Sequence, residues 1–194
     1  MANRSSEPVT SRPVNKASAG KAGVERTGEK FLTFFLAGEE YGIEILKVQE
    51  IIGMMGITRV PRTPHFVRGV INLRGKVIPV VDLRLKFGME SIEQTAENCI
   101  IVVQTVGVEM GIIVDKVSEV SDIAGKDIDE APSFGADVQT DYILGIGKSQ
   151  GRVKLLLDID KVLSTQELVD VHSAAADLHA QSVEEAGPLA ETTA

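Results

Sequence analysis

Residues 69–84, reading GVINLRGKVIPVVDLR, constrain the fold more than any other stretch, because their apolar side chains form two β-type runs broken at Arg74-Gly75. Val70, Ile71 and Leu73 belong to the first run, and Val77, Ile78, Val80 and Val81 to the second. Gly75 accepts the positive φ of a tight turn, so the stretch reads as a β-hairpin. Pro79 cannot donate to a sheet ladder, which places the second run at an edge or a bulge.

The same signal recurs along the chain. FLTFFLAGEEYGIEI, from Phe31, carries apolar residues on both sides of a Gly-Glu-Glu turn. Residues 99–105 face 108–114 around Gly107, and 142–147 face 152–157 around Ser149-Gln150-Gly151. Residues 117–123 form a further strand. LKVQEII, residues 46–52, fits a strand or a helical turn equally. Pro61 and Pro64 bracket an irregular connection with one short helical turn at 65–67; 88–98 and 125–139 read as loops, the second containing Pro132 and Gly135. Short runs with frequent turn residues point to small barrels. With no Trp and 4% aromatic residues, the core must come from Val, Ile and Leu.

Three segments follow from composition. Residues 1–29 hold scarcely any large apolar side chain, so a disordered tail is expected there. Residues 30–165 form the folded part. Across the boundary to the last segment, 166–194, Ser164 and Glu167 have capping-box spacing ahead of a thin stripe of Leu168, Val171, Ala175 and Leu178, and an acidic flexible tail follows. The net charge of −8 disfavours nucleic acid and anionic membrane surfaces as partners. No apolar run reaches the roughly 20 residues of a membrane helix, and the amino end lacks the apolar centre of a secretory signal. Cys99 stands alone beside Ile100 and Ile101, so it reads as a small hydrophobe in a reducing compartment. A cytoplasmic protein without direct membrane insertion is the expectation.

Signs of catalysis are thin. Asp82, Asp115 and Asp158, with Asp160, end apolar runs, and convergent carboxylates could hold a divalent cation or act as acid and base. Hydrogen bonding to their own turns is the commoner use of such residues. His65, His172 and His179 lack metal-ligand spacing, and Gly145-Ile146-Gly147 lacks phosphate-loop spacing. The expectation is no catalytic residue, no metal and no cofactor. A metal-dependent hydrolase using the three Asp residues is the alternative of another class, and a small-ligand barrel with a closed cavity is a third.

Asn72-Leu73-Arg74-Gly75 followed by a strand ending in Asp82-Leu83-Arg84 closely resembles the signature of the CheW family of bacterial chemotaxis coupling proteins. The likeness extends from about Phe31 to Leu163. It includes Glu40-Tyr41-Gly42-Ile43, Lys47-Val48-Gln49-Glu50-Ile51, Pro64, Gly69, Gly111-Ile112-Ile113-Val114-Asp115, Val117, Tyr142 and Gly145-Ile146-Gly147. The resemblance implies a mainly β fold of two interlocked five-stranded, SH3-like β-barrels sharing a core, to which the capping-box spacing adds a short C-terminal helix. It also implies a noncatalytic adaptor binding a chemoreceptor's cytoplasmic tip and the regulatory domain of the histidine kinase CheA, recruited to membrane-associated receptor arrays. A coupler for a non-flagellar pathway such as surface motility is the runner-up. Carried over by residue, Val48, Glu50, Arg74, Val117 and Val120 are candidates for partner binding, with Gly69 supporting that surface. Each Val has core packing as its plainer role. Glu50 and Arg74 are expected to pair across a groove between the barrels.

Overall fold

The computed structural model describes residues 28–105, 107–131, 141–149, 151–163 and 167. The expectations for the amino-terminal tail, for Pro132 and Gly135, and for the carboxyl-terminal helix and tail fall outside these residues, apart from Gly28, Glu29 and Glu167.

The described chain is mainly β. Its strands are β1 (Glu29–Leu36), β2 (Glu39–Glu44), β3 (Val48–Gly53), β4 (Val67–Leu73), β5 (Lys76–Asp82), β6 (Cys99–Gln104), β7 (Glu109–Val114), β8 (Lys116–Ile123), β9 (Ile128–Asp129), β10 (Ile143–Ser149) and β11 (Arg152–Leu157). Two one-turn helices, α1 (Leu83–Lys86) and α2 (Ile159–Val162), follow β5 and β11. The ambiguous run at 46–52 splits into a 3-10 turn, Ile45–Lys47, and β3.

The hairpins form where glycine permits them. Arg74 and Gly75 have φ of 54° and 88°, and Ala37 and Gly38 have 52° and 88°. Two successive positive values are the mark of a type I′ turn, whose twist matches that of the flanking strands. Asn72 Oδ1 accepts from Gly75 N at 2.9 Å and braces the first of these turns. The β1–β2 turn therefore sits at Ala37-Gly38, and Glu39 and Glu40 already belong to β2.

The strands assemble into two sheets, ordered β8-β1-β2-β11-β10-β9 and β3-β6-β7-β5-β4. Both are built alike. A hairpin (β1–β2 or β4–β5) lies parallel to the second strand of another hairpin (β10–β11 or β6–β7).

Alternation along each strand serves two cores. Ile100 and Val102 join Ile71, Ile78, Val80 and Ile113 in a cluster belonging to the five-stranded sheet alone. Ile101 and Val103 face the other way, into a larger cluster shared with Leu32, Phe34, Tyr41, Ile43 and Leu157 of the six-stranded sheet. Phe31, Ile123 and Leu156 form the six-stranded sheet's own small cluster. Period-two burial on both faces explains why these strands read as continuous apolar runs.

Several expectations change in detail. One sheet has six strands instead of five, because β8 adds to β1 and the two-residue β9 adds to β10 within a segment expected to be loop. Val67 opens β4, while His65 and Phe66 form only a turn. Strand β5 is internal, between β4 and β7, although it contains Pro79. The parallel ladder to β7 begins one residue later, at Val80, so no bond is asked of the proline nitrogen.

Candidate functional site

Turn geometry delivers Arg74 to β3. Its Nη2 donates to Glu50 Oε2 at 2.8 Å, joining the β4–β5 turn to the strand at the other end of the five-strand order. The sheet is therefore curled. A bulge in β3 decides where the pair stands. Val48 lies opposite Val103 and Glu50 opposite Val102, so Gln49 is the extra residue and its two neighbours point to opposite faces. Val48 packs on the shared cluster, whereas Glu50 stands with Ile52 on the side of the sheet's own cluster. The pair thus closes the lip of one sheet and does not span a groove between the two. Arg74 keeps a side chain 78% exposed, so most of its guanidinium is open to a planar partner.

Gly69 sits at a similar bulge in β4, with φ of 138°. A Cβ there would lie 2.1 Å from the Thr58 carbonyl oxygen. The reason is a close crossing: Thr58 and Val70 exchange two backbone hydrogen bonds of 2.8 Å. Glycine is what lets residues 58–59 lie against β4.

Val48, Val117 and Val120 occupy edge strands, β3 of one sheet and β8 of the other. Val48 and Val117 are half-buried against the shared cluster. Val120 lies opposite Leu32, a member of that cluster, but is 52% exposed at its margin. The core role thus accounts for much of Val48 and Val117, and little of Val120. Leu46, just before β3, is 89% exposed. The sequence reading passed over it because a leucine among apolar neighbours gives no hint of its side.

Each strand-end aspartate has a local task. Asp82 caps α1 through Leu85 N and pairs with Arg68 at 3.2 Å. Asp158 caps α2 through Asp160 N and pairs with Lys161, whose pKa it holds above the ordinary lysine value. Asp115 takes two bonds from Arg84, at 2.6 and 2.8 Å, and a third from Ala37 N at 2.8 Å, tying the two sheets together. The bonds from Arg84 to Asp115 raise the Arg84 pKa further. Among the described residues, no three His, Cys, Asp or Glu side chains are placed to hold a metal. Cys99 packs on the shared cluster, and burial pushes its thiol pKa up, away from reactivity.

A polar group inside the six-stranded sheet was also missed. Lys154 Nζ, on a side chain only 2% exposed, lies 3.1 Å from Glu40 Oε1, 3.1 Å from Glu119 Oε1 and 2.7 Å from Ser121 Oγ. A lysine inside the apolar run VKLLL was the available signal.

Residues 30–167 match the CheW-like domain. Chemotaxis protein CheW of Klebsiella aerogenes is 42% identical over 160 residues, covering 82% of this chain and 96% of that protein. Chemotaxis protein CheW of Bacillus subtilis is 37% identical over 142 residues, covering 73% and 90%. The crystal structure of the scaffolding protein TtCheW from Thermoanaerobacter tengcongensis is similar with a TM-score of 0.66 at 34% identity, covering 72% of this chain and 95% of that one. A chain matched over so much of its length, and over nearly all of these relatives, belongs to the CheW-like domain family.

Proposed function

We propose that this protein is a noncatalytic adaptor of bacterial chemotaxis, holding the cytoplasmic tip of a chemoreceptor and the regulatory domain of the histidine kinase CheA in one complex. The observation that carries this reading is the match to relatives named as chemotaxis CheW proteins across residues 30–167. The geometry supports it. Val48, Val117 and Val120 lie on edge strands beside the shared core, where an amphipathic receptor helix gains apolar burial. Arg74, steadied by Glu50, and Gly69, which sets the neighbouring backbone, complete the partner-binding surface.

The chain works in the cytoplasm and reaches the membrane through receptor arrays. Among the described residues no helix is long and apolar enough to cross a membrane, and the net charge of −8 disfavours phosphate backbones as partners. Asp82, Asp115 and Asp158 are spent on caps and ion pairs, which removes the main argument for a hydrolase.

The test is a pull-down from native cytosol with wild type and Arg74→Glu under conditions that preserve weak complexes. Wild type retains kinase and receptor fragments together, and the variant loses receptor. Wild type that retains neither overturns the reading.

A further inference from the structure

Val117 and Val120 stand three residues apart on one strand. In a regular strand, positions i and i+3 point to opposite faces. Here both point to the shared core, because Val117 pairs with Phe34 and Val120 with Leu32, leaving Ser118 and Glu119 opposite Thr33 alone. That is a β-bulge with its extra residue in β8.

The bulge is held from inside the six-stranded sheet. Thr33, fully buried, donates through Oγ1 to the Glu119 carbonyl at 3.0 Å and accepts from Glu119 N at 3.3 Å. The hydroxyl satisfies the main-chain groups that the broken ladder leaves behind. The Glu119 carboxylate, on a side chain still 44% exposed, reaches over the buried Lys154 and Ser121, its Oε1 accepting from Lys154 at 3.1 Å and from Ser121 Oγ at 3.0 Å. Lys154, reaching from β11, also meets Glu40 on β2 and so fixes β8 to strands it does not adjoin. A buried ammonium is kept only where it is fully paired, and here all three of its neighbours are oxygens.

We propose that Thr33 and Lys154 are positioning residues for receptor binding: together they lock the β8 bulge that turns Val117 and Val120 to the same side. This rests on the receptor-face reading above and adds what holds that face in register. Thr33→Val keeps the buried volume and removes the hydroxyl; Thr33→Ser keeps the hydroxyl. Lys154→Met removes the charge at similar length.

The test combines methyl NMR of the full chain with titration of a purified receptor cytoplasmic fragment. In wild type, Val120 methyls give cross-strand contacts to Leu32, and Val117 methyls to Phe34. Thr33→Val and Lys154→Met lose or shift these contacts and weaken fragment binding about ten-fold. Thr33→Ser restores both, which a general packing defect does not explain. Val120→Asp serves as the direct probe of the face. Unchanged valine contacts in Thr33→Val and Lys154→Met overturn the lock while leaving the receptor face intact. Normal fragment binding by Val120→Asp overturns the face itself, and the inference with it.

Discussion

A single side chain is costly wherever backbone already fills the space. At Gly69, a methyl group meets the Thr58 carbonyl oxygen at 2.1 Å and the Arg59 Cα at 3.0 Å, and φ of 138° adds backbone strain. Neither neighbour is a flexible tip, so relief requires breaking the Thr58–Val70 bridge. Gly69→Ala is expected to destabilise by about 2–4 kcal/mol, read as a lower urea midpoint at unchanged slope. Glu50–Arg74 is the opposite case. Its arginine is largely exposed, so breaking it costs stability about 1 kcal/mol or less. Its consequence is shape. Arg74→Glu sets two carboxylates side by side, Glu50→Arg sets two guanidinium groups side by side, and under the proposed function each is expected to weaken receptor-fragment binding. The double exchange restores an attractive pair and recovers part of that loss in a binding cycle; no recovery rejects a role for the pair. Glu119 adds a pH signature. Hydrogen bonds from Lys154 and Ser121 hold its pKa below the ordinary carboxylate value. A depressed folded-state pKa gives a contribution that is complete above the unfolded pKa and lost as pH falls through the folded one. The stability difference between wild type and Glu119→Gln therefore persists at neutral pH and closes in the acid range below the usual carboxylate pKa.

Elements are joined in this protein by strand ends as much as by strand faces. Asp115, at the end of β7, holds Arg84 of the α1 turn and the Ala37 amide of the β1–β2 turn, so one carboxylate links both sheets. Both partners of the ion pair are mostly buried. Asp115→Ala should cost about 2–3 kcal/mol, since it leaves the mostly buried Arg84 guanidinium with only the Glu90 carbonyl as an acceptor and releases the Ala37 amide to water. Thermal unfolding in about 0.5 M salt checks the cause: a partly buried pair resists screening, and the loss remains. Sequence showed these elements well and their faces poorly. The hairpins around Arg74-Gly75, Gly107 and Gly151 were legible because glycine and alternating apolar runs are local signals. The bulges were not. Val48 and Glu50, Val67 and Gly69, and Ile143 and Gly145 are each two apart yet face opposite ways, whereas Val117 and Val120 are three apart and share a face. A bulge is fixed by partners distant in sequence, such as Thr33 for β8, and no periodicity within the strand records it. For the same reason Glu50 and Arg74 could be paired from sequence, but the lip they close could not be located.

At the scale of the whole molecule, two sheets of matching topology divide one chain into two outward surfaces while a common core keeps them in fixed relation. The shared cluster draws on β1, β2 and β11 from one sheet and β6 and β7 from the other, so neither sheet can turn without opening apolar surface. A coupling protein needs this rigidity, because a joint that flexed freely would let receptor state change without changing the kinase. Linkage gives a measurable form to that demand. If receptor and kinase occupy separate surfaces, each leaves the other's site open, and any coupling between them is reciprocal. In calorimetric titrations, kinase regulatory domain should bind the receptor-saturated protein as tightly as the free protein or more tightly. Val120→Asp should weaken the receptor arm about ten-fold or more while leaving kinase binding in receptor-free protein within about two-fold. Mutual exclusion of the two partners would contradict the adaptor, since a surface that serves one partner at a time cannot place a kinase under receptor control.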